Sequence, residues 1–406
     1  MSIQKPLSPA QWLCVVALIL VGLNLRPALA AIGPLLQSIQ PELALSYSMA
    51  SLLTTLPVLA MGLFAFVGFR MARPFGLERA VAAAMVLLAA ATAARFYSPN
   101  AAFLIITALL VGMAIALIQT LMPAIIKQRF GLRAPFVMGL YVTAIMGGAT
   151  LAATGAPLLE ASFDWRAGLG DWVWLAVLAL IAWGLWVKPA VDTQAQQPQQ
   201  TLVNHVFWKK ARAWQLAVFF ALGTSCYVAV LAWLAPYAQE LGYSPKQAGL
   251  LLGFLTLCEV IAGLFFPWWA SRRADKRIII AVLCVLQVIG FTALAMIPET
   301  ALVLWVAIIG LGIGGVFPIG LIITMDHIDN PMEAGRLTAF VQGVGYVIAA
   351  SAPFVAGAMR DALQSFTAAW LLLAVSGGIA LLIGARFSAT SYHQHFPKPK
   401  SETSRA

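Results

Sequence analysis

The chain has 406 residues, 61% of them hydrophobic and 10% charged, with 25 Lys and Arg against 15 Asp and Glu for a formal net charge of +10. A water-soluble domain carries about a quarter charged residues, so this composition excludes a soluble globular protein and points to a chain threaded repeatedly through a bilayer. The basic excess does not signal nucleic acid, because the Lys and Arg are scattered over short loops without the single basic face and interleaved aromatics that such a partner requires.

A membrane-crossing helix needs about 20 mostly apolar residues, because lipid offers no partner to a free backbone N–H or C=O. The sequence predicts twelve of them. Helices 1 to 6 cover Trp12 to Leu36, Tyr47 to Phe69, Arg79 to Arg95, Ala101 to Ile126, Pro135 to Leu159 and Trp172 to Val187. Helices 7 to 12 cover Ala213 to Ala238, Pro245 to Ala270, Ile278 to Ile297, Ala301 to Met325, Leu337 to Met359 and Leu363 to Ala385.

Helix 1 contains Gly22-Leu23-Asn24-Leu25-Arg26-Pro27 at its centre. A cation at mid-bilayer depth costs roughly 2.5–3.5 kcal/mol on insertion scales, so such a residue faces a cavity and has a function. The guanidinium of Arg26 presents a fixed fork of donors suited to a carboxylate-like anion; the competing reading is a structural ion pair with Glu259 of helix 8. Asn24 lies two residues away, on nearly the opposite side of a regular helix. Both side chains reach one cavity only if the helix is distorted, and Pro27, which lacks an N–H, supplies the means. An interhelical hydrogen bond is the alternative role for Asn24. This first apolar run is longer than a signal-peptide core and lacks a small-residue cleavage site, so it is expected to be retained.

Gln119 in helix 4 offers both donors and acceptors to a central cavity, and Tyr141 lies in helix 5. After helix 6 the composition changes abruptly to a Gln-rich run around Asp192 to Gln200, which cannot bury enough apolar surface to fold alone and reads as a connector. In helix 7, Thr224 and Tyr227 share a face. Glu259 in helix 8 is the deep acid, a carrier for a coupling proton if protons drive transport. Gln342 and Tyr346 in helix 11 are spaced i, i+4 and also share a face. The tyrosines have interfacial anchoring as their ordinary alternative. Glycines gather in helices 5, 10 and 11 (Gly147-Gly148, Gly310, Gly312, Gly314-Gly315, Gly343 and Gly345), where small residues let helices approach closely.

His205, His327, His393 and His395 are assigned to loops or tails, and Cys14, Cys226, Cys258 and Cys284 to apolar spans without metal-like spacing. No cofactor and no metal site is expected, and no nucleophile is paired with a base, so an enzyme is not indicated. Lys and Arg stay on the cytoplasmic side. With both termini inside, all 25 basic residues fall there except Arg26, Arg95, Arg166, Lys246 and Arg360.

The two halves repeat weakly at a constant offset. Tyr47-Ser48 matches Tyr243-Ser244 and Ala156-Pro157 matches Ala352-Pro353 at 196 residues, while Pro123 and Pro318 differ by 195. The domain plan is therefore a six-helix bundle over 1–188, a cytoplasmic linker over 189–211, a second six-helix bundle over 212–388 and a cytoplasmic tail over 389–406. Two parallel six-helix repeats are the plan of a major facilitator transporter, with the substrate site near the midplane. The loop Gly68-Phe69-Arg70-Met71-Ala72-Arg73-Pro74-Phe75-Gly76-Leu77-Glu78-Arg79 resembles that superfamily's basic loop signature, with Arg73 where an aspartate is usual. Its counterpart Ser271-Arg272-Arg273-Ala274-Asp275-Lys276-Arg277 keeps an acid. The resemblance makes Arg73, Arg79, Asp275 and Arg277 candidate gating residues.

More specifically, the chain resembles the cyanate-transporter family of that superfamily, which also includes a 2-nitroimidazole exporter. The resemblance runs through Gly22 to Pro27, Leu53-Thr54-Thr55-Leu56-Pro57, Ile118-Gln119 with Met122-Pro123 and Ile126-Lys127, Pro135 to Leu140, Met325-Asp326-His327 and Phe340 to Gly345. It departs from the cyanate-transporter pattern at Glu259, where that pattern carries glutamine. The resemblance implies a secondary active transporter of a bacterial inner membrane, monomeric in its lipid, moving a small anionic or weakly acidic organic solute by alternating access with proton coupling. Arg26, Asn24, Gln119, Tyr141, Tyr227, Gln342 and Tyr346 would contact solute and Glu259 would carry the proton. The alternative is an exporter of small neutral heteroaromatic compounds such as nitroimidazoles.

Overall fold

A computed structural model describes residues 8–72, 74–187 and 206–396. Within them the chain is helical, and twelve helices are long and apolar enough to cross a membrane. Their bounds are Pro9–Leu43, Tyr47–Gly68, Leu77–Ala94, Ala101–Phe130, Phe136–Ser162 and Trp165–Trp186, then Ala211–Glu240, Pro245–Ser271, Arg277–Met296, Leu302–Asp326, Glu333–Leu363 and Thr367–Gly384. The number agrees with the sequence reading, and several bounds do not.

Helix 6 begins at Trp165 rather than Trp172, because Asp164 accepts a hydrogen bond from the Ala167 N–H and caps a short first piece, Trp165–Gly170. Helix 11 is also in two pieces, Pro331–Ala349 and Ser351–Leu363. Leu363 therefore ends helix 11 instead of opening helix 12, and the boundary is marked by Gln364 in the left-handed region at φ 55°.

Several local features recur in the two halves at an offset of 198, two more than that of the Tyr-Ser dipeptides. Ser46 accepts from the Met49 N–H at the start of helix 2, and Ser244, 198 residues on, accepts from the Gln247 N–H at the start of helix 8. The preceding turns hold Ala44 and Gly242 at positive φ, again 198 apart. The Tyr-Ser dipeptides lie two residues out of this register: Tyr47 opens helix 2, whereas Tyr243 precedes the cap of helix 8. Helix crossings obey the register too. A Cβ at Gly112 of helix 4 would collide with the Pro57 backbone of helix 2, and one at Gly310 of helix 10 would lie 2.7 Å from Leu255 O of helix 8. Only glycine permits backbones to meet this closely.

Contacts divide the chain into two compact units, Met1–Val191 with Leu231–Gly253, and Asp192–Val230 with Phe254–Ala406. The last part of helix 7 and the start of helix 8 thus pack within the first unit. There Gln239 donates to Pro34 O at 2.8 Å, Tyr47 donates to Glu240 Oε1 at 2.9 Å, and the Tyr47 and Trp233 rings lie 5.6 Å apart. Residues 189–205 of the linker expected over 189–211 lie outside the described residues, as do Lys188 and the tail beyond Phe396.

In the second unit the tail folds back on the helix ends. Arg212, buried, donates to His327 Nε2, Arg386 O and Ser391 Oγ, and His327 stacks on Tyr392 with centroids 4.2 Å apart. His327 lies beyond the last residue of helix 10, as expected, yet it is fully buried.

Candidate functional site

In the first unit the centre is the discontinuity of helix 1. The span consists of Pro9–Leu23, Pro27–Ala30 and Ile32–Leu43, and Arg26 is the middle residue of its 35. Pro27 cannot donate to the carbonyl four residues back, and its ring crowds that carbonyl. The freed group is Leu23 O. It lies so close to Gly148 of helix 5 that any Cβ there would collide with it, which explains one member of the Gly147-Gly148 pair.

The helix distortion expected from Pro27 is therefore present, and its two polar residues have different neighbours. Asn24 is buried and its amide nitrogen donates to Leu20 O at 2.8 Å and to Leu175 O of helix 6 at 3.1 Å. That is the interhelical role. Arg26 caps the short piece, is 6% exposed, and brings Nη1 within 3.9 Å of Met61 Sδ of helix 2. Met61 was not singled out by the sequence, since an apolar residue in an apolar helix gives no signal.

Arg95 ends helix 3, as the sequence predicts, but it is not solvated. It is fully buried at the end of helix 3, with Nη1 donating to Ala28 O at 2.8 Å and Nε to Thr107 Oγ1 at 3.4 Å. Ala28 lies in the short piece after Arg26, so Arg95 braces the discontinuity from behind. Gln119 is half-buried in helix 4, and Tyr141 is buried in helix 5 with its carbonyl against Gly22 of helix 1.

In the second unit Glu259 lies one residue past the middle of the 27-residue helix 8 and is 3% exposed. Gly314 of helix 10 backs it so closely that a Cβ would strike the Glu259 backbone. Tyr227 is half-buried in helix 7. On helix 11 Gln342 is half-buried, while Tyr346 is buried edge-to-face on Phe220 at 5.4 Å and 89°. In the 198 register Glu259 corresponds to Met61, and Arg26 corresponds to Thr224. The two units thus place a charge on opposite members of equivalent positions.

Among the gating candidates, Arg73 lies outside the described residues and Arg79 is exposed. Arg277 grips Asp275 with Nε at 3.0 and 2.9 Å from its two oxygens and Nη2 at 2.5 Å, holding that carboxyl below its ordinary range. The four cysteines are buried thiols, and no cluster of metal-ligating side chains occurs among the described residues.

Comparisons with known proteins place this geometry. The family model described as Major Facilitator Superfamily matches residues 15–353 and 236–405. The chain is 37% identical to the cyanate transport protein CynX of Escherichia coli (strain K12), over 94% of this chain and 98% of that protein. It is 28% identical to a 2-nitroimidazole transporter of the same organism, over 91% of this chain and 94% of that one. A solved D-xylose-proton symporter superposes with a TM-score of 0.74 at 14% identity, covering 93% of this chain and 98% of that one.

Proposed function

From the premise that the chain belongs to the major facilitator superfamily, and is a multi-pass membrane transporter rather than an enzyme, we propose that it moves a small anionic or weakly acidic organic solute. The observation that carries this reading is Arg26: a buried guanidinium, at the middle of a span, held at a break in helix 1 that Pro27, Gly148 and Arg95 together stabilise. Fixing a cation there costs the fold free energy, and an anionic solute recovers it. Relatedness to a cyanate transport protein supports the same class, since cyanate is a small anion.

In this reading residues 1–188 and 212–388 form two bundles that give alternating access in a bacterial inner membrane, and the protein acts as a monomer. Gln119, Tyr141, Tyr227, Gln342 and Tyr346 shape the solute chamber, with Asn24 holding helix 1 to helix 6 behind it. Glu259 carries the coupling proton. Asp275 with Arg277, and Arg79 with Arg73, govern the cytoplasmic entrance. A second reading, export of a small neutral heteroaromatic compound, is supported by the 2-nitroimidazole relative; Arg26 then acts as a hydrogen-bond donor only.

Ligand-induced thermal stabilisation of purified protein separates these, because a bound ligand raises the melting temperature by mass action. Arg26→Gln is expected to weaken cyanate binding by about tenfold or more, the loss of one charge-assisted contact, and Arg26→Lys by less. Wild-type cyanate affinity in a folded Arg26→Gln variant overturns anion recognition. In vesicles, Glu259→Gln is expected to retain binding while flattening the pH dependence of uptake; an unchanged profile removes Glu259 as the carrier.

A further inference from the structure

One end of helix 8 carries an aromatic and arginine cluster to which the proposed function assigns no role. Leu257, Ile261, Leu264 and Phe265 are each about half exposed and follow one face of the helix at three- and four-residue steps. The same face continues into Trp268 and Arg272. Large apolar side chains exposed in a continuous stripe on a membrane-spanning helix face hydrocarbon, and the stripe ends where the helix does, at Ser271.

There the chemistry changes within one turn. The Arg272 guanidinium lies over the Trp268 ring at 4.1 Å, and that of Arg273 over the Trp269 ring at 5.6 Å. The Phe265 ring packs on both tryptophans, with centroids at 5.8 and 6.1 Å. These five side chains line a surface recess of about 460 Å³. Tryptophan at such a level anchors a helix at the headgroup layer. A guanidinium held over a ring by its charge still has N–H donors to offer a phosphate bidentately.

Capping of the helix C-terminus is the ordinary use of a terminal arginine, but the arginines here lie over the aromatic rings. The nearest acid in sequence, Asp275, is gripped by Arg277. A ligand that fits has two parts: an acyl chain to lie along the stripe, and an anionic phosphate to meet the paired guanidiniums at its end.

We propose that this recess is a binding site for an acidic phospholipid, with the phosphodiester on Arg272 and Arg273, the glycerol region against Trp268 and Trp269, and one acyl chain along Phe265, Ile261 and Leu257. The site is independent of the solute reading, and its test does not involve transport.

Native mass spectrometry of the full chain, released from micelles doped with phosphatidylglycerol or phosphatidylcholine, measures it directly. Wild-type protein is expected to retain phosphatidylglycerol in preference to phosphatidylcholine. Arg272→Gln/Arg273→Gln is expected to lower that retention by roughly tenfold or more, since each basic residue near a lipid surface adds substantially to anionic-lipid affinity. The control Lys127→Gln/Arg133→Gln, which removes the same charge elsewhere, should leave it unchanged, and Arg272→Lys/Arg273→Lys should keep most of it. Trp268→Leu should weaken retention while preserving charge. Equal loss in the control pair, or retention unchanged in the Gln pair, overturns the site. Stabilisation of the wild type by inorganic phosphate that matches the phosphatidylglycerol effect, and is lost in the Gln pair, assigns the recess to free phosphate and overturns the lipid.

Discussion

Two ion pairs occupy equivalent positions in the two units with their signs exchanged. In the first, Arg129 at the end of helix 4 meets Glu78 at the start of helix 3 at 3.0 Å. In the second, Lys276 at the start of helix 9 meets Asp326 at the end of helix 10 at 2.7 Å. Glu78 and Lys276 are 198 residues apart, and Arg129 and Asp326 are 197. A helix N-terminus favours an anion and its C-terminus a cation, so both residues of the first pair sit with their helix dipoles and both of the second sit against them. What the repeat retains is neutrality at a packed junction of helix ends. The sign is free to change because each charge is answered across the junction rather than by its own helix. Arg26 and Glu259 depart from this rule, each standing where the other unit has an uncharged residue, Thr224 and Met61.

The largest expected effect tests whether the shared register is a packing restraint at all. Gly112→Val puts a branched side chain into the Pro57 backbone, which has no rotamer to yield, and overpacking of this kind costs about 1–3 kcal/mol or more. Loss of monodisperse protein on size exclusion is expected. Gly310→Val meets Leu255 O at 2.7 Å and Cys258 Cβ at 2.9 Å, so it should also lower the melting temperature, by less than Gly112→Val. A Gly112→Val protein that melts with the wild type would dissolve the equivalence of the two crossings.

The ion pairs themselves give the next effect. Lys276→Glu/Asp326→Arg installs the first unit's arrangement in the second and aligns both charges with their dipoles. At about 0.3–1 kcal/mol for each helix end, the double variant should melt a few degrees above wild type. The mirror exchange, Glu78→Lys/Arg129→Asp, should melt below it. Either single change, Lys276→Glu or Glu78→Lys, brings like charges together and should be worse than its double. Equal melting temperatures for the two exchanges would show that the dipoles do not distinguish the units.

Much of this architecture is legible in the residues, and the illegible parts share a cause. Twelve spans follow from local apolar runs, and the break in helix 1 follows from Pro27, because both signals lie within one turn of the effect. The end of helix 11 escaped because Gln364 adopts the left-handed conformation where glycine would have announced it. The first piece of helix 6 escaped because its cap, Asp164, reads as loop polarity. The burial of Arg95 escaped for a different reason: its acceptor, Ala28 O, is 67 residues away, and nothing local distinguishes a buried helix-end arginine from a solvated one. Met61 beside Arg26 is invisible for the same reason. The Tyr-Ser match lies two residues out of the register that the caps define, since identity of residues is a weaker constraint than identity of hydrogen-bonding role.

The smallest effect isolates the backbone. The turns between helices 1 and 2 and between helices 7 and 8 both require a left-handed residue, supplied by Ala44 at φ 50° and Gly242 at φ 93°. A Cβ at Gly242 would meet nothing within 4 Å, so Gly242→Ala changes only conformational preference. The left-handed conformation costs an alanine about 1–2 kcal/mol, and the stiffer unfolded chain returns about 0.4–1. A net loss of between about 0 and 1.6 kcal/mol remains. Ala44→Gly reverses both terms and should gain a similar amount. Melting temperatures of the two variants and their double should therefore bracket the wild type, with the double close to it. If Ala44→Gly instead destabilises, the methyl group of Ala44 contributes packing that outweighs its strain, and the two turns are equivalent in geometry without being equivalent in energy.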